Sequence, residues 1–254
     1  MFATTLALGL WAWSHSKAPL RLTLQQQPMR QHDMFYPWRF ARFRQLIAVF
    51  LLSGMASAGP ATLVLFFVQD RLQAPALAPL FLASYFVAAA ASMPVWMRGV
   101  ARWGLVRCWL AGMLLSVVVF ALAARLSAGD VIGFAAVCVL SGLALGAELT
   151  MPNAMLAGLV KQHGDRNQRE GSYFGWWNMV AKLNLALAAG LALPLLDLLG
   201  YQPGTTLPSG LLALTWAYAV LPCVLKLMAA AVLYLSFLRR SPSNPAHFSE
   251  ASWP

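Results

Sequence analysis

The stretch REGSYFGWWNMVAKLNLALAAGLALPLLDLLGY, residues 169–201, decides the fold class of this chain. It is long enough to cross a membrane, and between positions 171 and 196 its only charged side chain is Lys182. A lysine at the centre of a bilayer costs roughly 2.5–3.5 kcal/mol on insertion scales. A residue that is so costly indicates a partner or a function. Two further apolar stretches also carry a single charge each, Glu148 and Lys226.

The composition of the whole chain indicates the same fold class. Hydrophobic residues make up 60% of the sequence and charged residues 10%, which is typical of all-α integral membrane proteins and not of soluble domains. A membrane span needs about 20 mainly apolar residues. This criterion predicts a bundle over residues 45–238 with six transmembrane helices, at about 45–69, 77–97, 108–124, 131–160, 171–198 and 211–238.

The segments outside the bundle are interpreted from their length and polarity. Residues 1–13 would reach only about 20 Å as a helix, which is too short for a hydrocarbon core of about 30 Å. We interpret them as the remnant of a preceding transmembrane helix, because a signal peptide would have a basic start and a cleavage site. Residues 14–44 are predicted to be a cytoplasmic linker between two halves of a larger protein or, alternatively, an ordinary N-terminal tail. Residues 239–254 are predicted to be a cytoplasmic tail.

The net charge of +10 suggests a nucleic-acid partner, but the distribution of the charge argues against it. Basic residues concentrate before the first span, between spans two and three, between spans four and five, and after span six. This alternation from one connection to the next is the positive-inside pattern of membrane proteins. We therefore expect a multi-pass protein of the cell inner membrane, with both termini in the cytoplasm, that contacts the lipid bilayer and not nucleic acid.

The sequence offers no set of residues that is typical of catalysis or metal binding. The three cysteines lie in or beside apolar spans, and the four histidines are scattered over polar segments. Neither group shows metal-ligand spacing. An enzyme would also need a nucleophile beside a base, and no such pair is apparent. We expect no enzymatic activity, no metal, and no cofactor beyond a coupling ion.

The three charges within the spans are predicted to lie at one depth. Counted from the predicted inner ends of their helices, Glu148, Lys182 and Lys226 are each about 18–20 Å into the membrane at ~1.5 Å per residue. Near the bilayer centre they must face the protein interior or an aqueous cavity. Two lysines against one carboxylate leave one positive charge in excess, which a solute or another part of the protein would compensate.

Small and polar residues recur along span five at intervals of three and four, on one helix face: Gly171, Gly175, Asn178, Lys182, Ala186 and Ala189. We expect this stripe to face inward, with two interpretations open. In the first, the stripe lets a neighbouring helix approach closely and Lys182 pairs with Glu148. In the second, it lines a cavity where Asn178 and Lys182 donate hydrogen bonds to a polar solute. Trp177 would then stack against a sugar ring or belong to the aromatic belt at the membrane surface.

The other two charges and three helix-disrupting residues complete the candidate site. Glu148 is either an ion-pair partner or a titratable acid that carries a proton. Lys226 is a further candidate for solute contact. Gly59 and Pro60 in span one, and Pro152 in span four, predict a break in the first helix of each set of three. Paired breaks of this kind occur in transporters built from inverted repeats.

The block from Pro152 to Tyr201 resembles the glycoside–pentoside–hexuronide:cation symporters, the melibiose-permease-like branch of the major facilitator superfamily. The run REG-x-YFG-x-W-N-x-x-x-KL-x-x-A is the most specific part of this resemblance, and FRQLIAVFLLSGMASAGPATLVLFFVQD, residues 43–70, is similar to the start of that family's C-terminal half. The resemblance covers about residues 38–240, which would be helices seven to twelve of a twelve-helix fold. Where the family often has aspartates, this chain has Gly158 and Lys161.

The resemblance implies a function and a role for one residue. Lys182 matches the family lysine of the eleventh helix, near the sugar and cation sites, and the cation-binding aspartates of the family lie in the N-terminal half. We therefore expect a sugar or related polar solute, symported with H⁺ or Na⁺ by alternating access. The partner would be a missing N-terminal half or a second copy. Alternatives are a carrier for lipid, drug or other non-sugar solutes, or a non-transporting assembly subunit or inactive fragment.

Overall fold

A computed structural model describes residues 34–163, 169–205 and 207–239, and within these ranges all regular secondary structure is helical. Six helices of this part of the chain are long and apolar enough to cross a membrane, which confirms the predicted fold class. They are α1 (Ala41–Phe66), α2 (Ala78–Trp103), α3 (Leu105–Ala123), α4 (Val131–Gln162), α5 (Glu170–Leu198) and α6, which begins at Pro208 and ends at Leu238.

Two of the helices contain wider turns. The last turn of the first span, Phe67–Arg71, is π-helical, and α6 consists of Pro208–Thr215, a π turn at Trp216–Val220, Leu221–Leu233 and a second π turn at Tyr234–Leu238. The turn at Trp216–Val220 ends two residues before Pro222. A proline has no backbone N–H to continue the α-helical ladder at that point, so the local hydrogen bonding shifts to the wider spacing.

The predicted helix breaks at Gly59, Pro60 and Pro152 are wrong. Helix α1 runs through Gly59 and Pro60, and α4 runs through Pro152, without interruption. A proline removes one backbone hydrogen bond, but the bilayer core offers no water to replace the others, so the rest of the helix stays paired. The predicted linker also overlaps α1, which begins at Ala41. Residues 1–33 and 240–254, with the proposed helix remnant and nearly all of the proposed tail, lie outside the described residues.

The helices pack as two groups of three. Helix α1 packs extensively against α5 and α6, and α4 packs extensively against α2 and α3. The two groups meet mainly through α3 and α6, whereas α1 makes far fewer contacts with α4. The contact between α1 and α4, which belong to different groups, is therefore a loosely packed part of the bundle.

The contact between α2 and α4 depends on two glycines. Gly142 and Gly146 are one helical turn apart and therefore share a face of α4. A Cβ atom at Gly142 would overlap the carbonyl oxygen of Tyr85, and one at Gly146 would overlap the hydroxyl of Ser92. Small residues at this spacing allow two membrane helices to approach until their backbones touch.

The apolar core is divided into two clusters at opposite ends of the bundle. The Phe43 cluster includes the buried side chains of Phe43, Leu46, Trp109, Met155, Tyr173 and Leu233. The Phe67 cluster includes those of Leu63, Phe67, Phe134, Leu196, Leu214 and Tyr218. The buried side chains of Ser53 and Lys226 lie between the two clusters and belong to the site described below.

At the end of the bundle that holds the Phe67 cluster, a polar contact joins the first span to the connection between α5 and α6. The Asp70 carboxylate accepts hydrogen bonds from the Tyr201 hydroxyl and from the Gly204 N–H, the latter at 2.9 Å. Burial raises the pKa of the Tyr201 hydroxyl, and the neighbouring Asp70 carboxylate raises this pKa further. Tyr201 therefore remains protonated at neutral pH, and it ties the connection between α5 and α6 to the end of the first span.

We predict that Gly142→Ala destabilises the bundle, by about 1–3 kcal/mol, because the added methyl group has to displace the α2 backbone. Gly190→Ala on α5 is the matched control, since nothing lies within 4 Å of the position that its Cβ would take. The measurement is the unfolding midpoint of both variants in the same detergent. Equal midpoints for the two variants would contradict the close approach of α2 and α4.

We also predict that Tyr201→Phe lowers the unfolding free energy, by about 1.5–3 kcal/mol, because a buried hydrogen bond to a carboxylate is lost. Tyr234→Phe serves as the control, because the Tyr234 side chain is exposed. Chemical denaturation of both variants in detergent gives the comparison. A Tyr201 variant as stable as the control would show that the contact with Asp70 does not hold this end together.

Candidate functional site

The buried side chain of Lys226, on α6, forms the centre of the site. Its ammonium group lies 2.6 Å from Oε2 of Glu148, on α4. It also donates to the carbonyl oxygen of Ser53 at 3.1 Å, to the Ser53 hydroxyl at 2.9 Å and to the Ser57 hydroxyl at 2.8 Å. An ammonium group has three protons to donate, so these oxygen atoms satisfy it completely.

The two oxygen atoms of the Glu148 carboxylate are unequally occupied. Oε2 accepts from Lys226 and, at 3.0 Å, from the Ser57 hydroxyl. Oε1 accepts only from the Ser53 hydroxyl among the described residues, at 3.2 Å, and that hydroxyl also lies 3.3 Å from Oε2. One hydroxyl has a single proton to share between two acceptors. Oε1 therefore keeps most of its capacity to accept a hydrogen bond.

The positions of these residues follow from helix geometry. Ser53 and Ser57 are one turn apart on α1 and so present both hydroxyls on the same face. That face meets Lys226 from α6 and Glu148 from α4. The network thus joins α1 and α6 to α4 where the two groups of three helices are loosely packed. Burying two charges costs several kcal/mol for each ion, and only good geometry and further hydrogen bonds recover that cost.

A recessed cavity of about 140 Å³ adjoins Glu148, within the part of the chain that the structure describes. Helices α1, α2, α3, α4 and α6 all contribute to its wall. The polar groups that line it belong to Ser57, Tyr85, Ser116, Ser141, Glu148 and Tyr218. Three phenylalanine rings line it as well, those of Phe81, Phe86 and Phe120. The cavity combines an apolar, aromatic wall with one carboxylate.

The structure places Lys182 on the outside of the six-helix bundle. Every residue of its stripe is exposed: Gly171, Gly175, Asn178, Lys182, Ala186 and Ala189. The inward face of α5 is a different one, with side chains at similar intervals: Tyr173, Trp177, Val180, Asn184 and Ala188. Both faces have helical periodicity, and the large aromatic side chains on the second face gain more by burial. The expectation that the stripe faces the bundle interior is therefore wrong.

The pairing of Lys182 with Glu148 is also wrong, because Glu148 pairs with Lys226. Within the described residues the Lys182 ammonium has neither an ion pair nor a hydrogen bond. The predicted excess of one positive charge near the bilayer centre therefore lies on the outer face of α5. Lipid provides no partner for it at that depth.

The two other predicted solute contacts that belong to α5 lie on different faces of this helix. Asn178 is exposed beside Lys182, and its side-chain amide donates to the Phe174 carbonyl at 2.9 Å. Trp177 is buried and stacks on Phe50, with ring centroids 3.7 Å apart and 17° between the planes. The structure thus brings Asn178 and Lys182 together, and it separates both from Trp177 and Lys226.

Sequence reasoning missed three polar residues of the bundle interior. Ser53 and Ser57 could have been found from their one-turn spacing at the depth of Glu148. Asn184 is buried, donates to the Phe50 carbonyl at 3.4 Å and has no partner for its buried Oδ1 among the described residues. Its amide occupies the space over Gly54, where a Cβ atom would overlap it. No feature of the sequence around Gly54 predicts this contact with Asn184.

A comparison with family models shows to which protein family the chain belongs. The model described as MFS/sugar transport protein matches residues 23–239. The chain belongs to this family of the major facilitator superfamily. Members of the superfamily are transporters, so the six helices of this major facilitator protein are part of a transport protein. In a comparison with curated proteins nothing matches. The assignment of the chain to the melibiose-permease-like branch of the superfamily stays a prediction.

Among the described residues of this major facilitator protein, Glu148 and Lys226 form a charge network with two serine hydroxyls. Within residues 34–163, 169–205 and 207–239, no three side chains of the types His, Cys, Asp and Glu are grouped as metal ligands. Cys108, Cys138 and Cys223 are free thiols. The geometry supports binding and charge compensation at the level of Glu148 and Lys226.

We predict that the single variants Lys226→Met and Glu148→Gln each destabilise the protein, by about 3–5 kcal/mol, because each leaves a buried charge without its partner. The double variant should be clearly more stable than the sum of the two losses allows, since it buries no charge. Unfolding midpoints of the wild type, both single variants and the double variant give the coupling energy.

The control for this cycle is Lys182→Met, which removes a lysine from the exposed face of α5. It should not lower the unfolding midpoint of the bundle, because it removes a charge that has no partner among the described residues. Additive losses for Lys226 and Glu148 would show that the two groups do not interact in the folded protein.

Proposed function

We propose that this chain forms the C-terminal six-helix half of a secondary transporter of the cell inner membrane. It would move a sugar or related polar solute together with H⁺ or Na⁺, by alternating access around a site near the bilayer centre, with both termini in the cytoplasm. The observation that carries the proposal is the exposed stripe on α5, in which Lys182 has no partner among the described residues.

The stripe requires a covering partner. An ammonium group about 18 Å along α5 from Glu170 cannot reach water easily through lipid. Gly175 and Gly190 have nothing within 4 Å of the position of a Cβ atom, so this side of α5 offers room for another helix or a water-filled space. We propose that an N-terminal six-helix half, or a second copy of the chain, covers the stripe. Rocking of the two bundles would then expose the space between them to each side of the membrane in turn.

The chemistry of the stripe favours a polar solute. Asn178 and Lys182 lie one turn apart and present two hydrogen-bond donors towards the same space. Hydroxyl oxygen atoms of a sugar accept such bonds, and the matching family is described as MFS/sugar transport protein. We assign no solute contact to Trp177, whose ring stacks on Phe50, or to Lys226, whose ammonium is satisfied by Glu148 and the two serines.

A coupling cation would have to bind to a negatively charged side chain during transport. In the described part of the chain Glu148 is the carboxylate of the central layer, and Lys226 neutralises it. Na⁺ would therefore bind to carboxylates of the covering bundle, where Lys182 would compete for the same groups. H⁺ would require a carboxylate that is protonated and released during the cycle. The ion that drives uptake distinguishes these two routes.

We expect Lys182→Ala to reduce uptake of the transported sugar about tenfold or more, because a hydrogen bond from a charged donor is lost. The measurement uses membrane vesicles from cells that express the complete reading frame, with radiolabelled glycosides, pentoses and hexuronates and with imposed Na⁺ or H⁺ gradients. Leu183→Ala, an exposed residue that lies about 100° around the axis of α5 from Lys182, is the control and should transport normally.

Unchanged uptake in the Lys182 variant would contradict the role of the stripe. Uptake that responds to neither gradient would contradict coupled transport. Wild-type vesicles that accumulate none of the three sugar classes would remove the sugar assignment and leave the family's general transport function.

A further inference from the structure

We infer that the cavity beside Glu148 is a binding site for a neutral, aromatic group that carries one hydrogen-bond donor, of the size of phenol. The site lies between the two groups of three helices and includes neither Lys182 nor Asn178. It is therefore separate from the solute site proposed above, and it can exist whether or not the protein carries sugars.

The size of the cavity limits its occupant to a single ring. Its volume is about 140 Å³. An apolar cavity of about 150 Å³ in another protein stays dry and binds benzene. A ring of six carbon atoms with one small substituent therefore fits the space, whereas a disaccharide does not.

The wall of the cavity favours an aromatic ring over a sugar ring. Rings of Phe81, Phe86 and Phe120 face it together with those of Tyr85 and Tyr218. Aromatic rings interact favourably with one another in offset and edge-on arrangements, beyond the gain from burial. The polar groups of the wall are one carboxylate and several hydroxyls, of which the Ser141 hydroxyl already donates to the Cys138 carbonyl at 3.1 Å. Such a wall would leave most of the hydroxyls of a hexose unpaired.

Glu148 supplies the acceptor for one donor on the ligand. Among the described residues its Oε1 atom receives only the shared hydrogen bond from Ser53, and the Glu148 side chain forms part of the cavity wall. An acceptor that is charged and poorly occupied gains from a ligand hydroxyl more than a satisfied one does. A phenolic hydroxyl is a donor of suitable length beside a ring that fills the apolar part.

The ion pair selects a ligand without charge. Glu148 and Lys226 neutralise each other at 2.6 Å, so the wall has no net charge to compensate. A cationic ligand would place a second positive charge near Lys226, and an anionic ligand would face the carboxylate. In surroundings shielded from water both arrangements cost more than the binding of a neutral hydroxyl.

The test uses the full chain in lipid nanodiscs and Cys138 as a reporter, because this thiol lines the cavity. Methyl methanethiosulfonate, a small uncharged thiol reagent, is applied with and without phenol, and mass spectrometry measures the modification of each cysteine. Phenol should slow the modification of Cys138 selectively. Cys108, which is buried outside the cavity, serves as the internal control for unspecific effects of phenol on the bilayer.

A series of probes then tests the ligand class. Benzene, which lacks the donor, should need an about tenfold higher concentration than phenol for the same protection, since one hydrogen bond to a charged acceptor is missing. Cyclohexanol, benzylammonium, benzoate and D-glucose should all protect less than phenol. Equal protection by benzene and phenol would overturn the role of Glu148, and stronger protection by glucose would overturn the aromatic preference.

Two variants keep the test independent of the reactivity of Cys138. Ala61→Leu places a larger side chain in the cavity wall, whereas Ala83→Leu, also an exposed alanine, adds the same bulk outside it. Phenol should raise the unfolding temperature of the wild type and of the Ala83 variant, and this shift should be lost in the Ala61 variant. A phenol-induced shift that is equal in all three proteins, or absent in all three, would overturn the site.

Discussion

The charge of Lys226 in the middle of the bundle is the constraint on which the remaining structure depends. Lipid and apolar side chains cannot stabilise an ammonium group, so the helices around it have to bring oxygen atoms to one point. Glu148 comes from α4, and two serine hydroxyls and a carbonyl come from α1. The requirement fixes the relative depth of three helices, and it separates the apolar core into a cluster at each end.

The two lysines that were predicted near the bilayer centre, Lys182 and Lys226, differ in their surroundings. Lys226 is satisfied within the bundle and needs nothing from outside. Lys182 sits on a face of small and polar residues that no described element covers, so its charge is available to a partner or a solute. In a protein of the major facilitator superfamily, such a face is suited to the space between two bundles. Lys226 thus stabilises the six-helix bundle, whereas Lys182 remains available at its surface.

The loosely packed contact between α1 and α4 affects both the stability of the bundle and the binding of a ligand. The helices of each group pack closely, as Gly142 and Gly146 show for α2 and α4. Across the contact between α1 and α4 the polar network replaces apolar packing, and beside it a cavity remains open. A ligand in that cavity would touch both groups of helices, so occupancy would stabilise one relative position of the two groups over others.

The sequence by itself determined six spans, their order and the common level of Glu148 and Lys226, because length, apolarity and a fixed rise per residue suffice for these properties. It did not determine which way each helix face points. Two faces of α5 repeat at helical intervals, and only the fit of Asn184 over Gly54 and of Trp177 on Phe50 decides which one is buried. The choice of Lys226 as the partner of Glu148, and the continuity of α1 and α4 through their prolines, likewise depend on neighbouring helices. Periodicity fixes the spacing of side chains along a helix, but the rotation of that helix about its axis is a property of packing, and only the tertiary structure contains it.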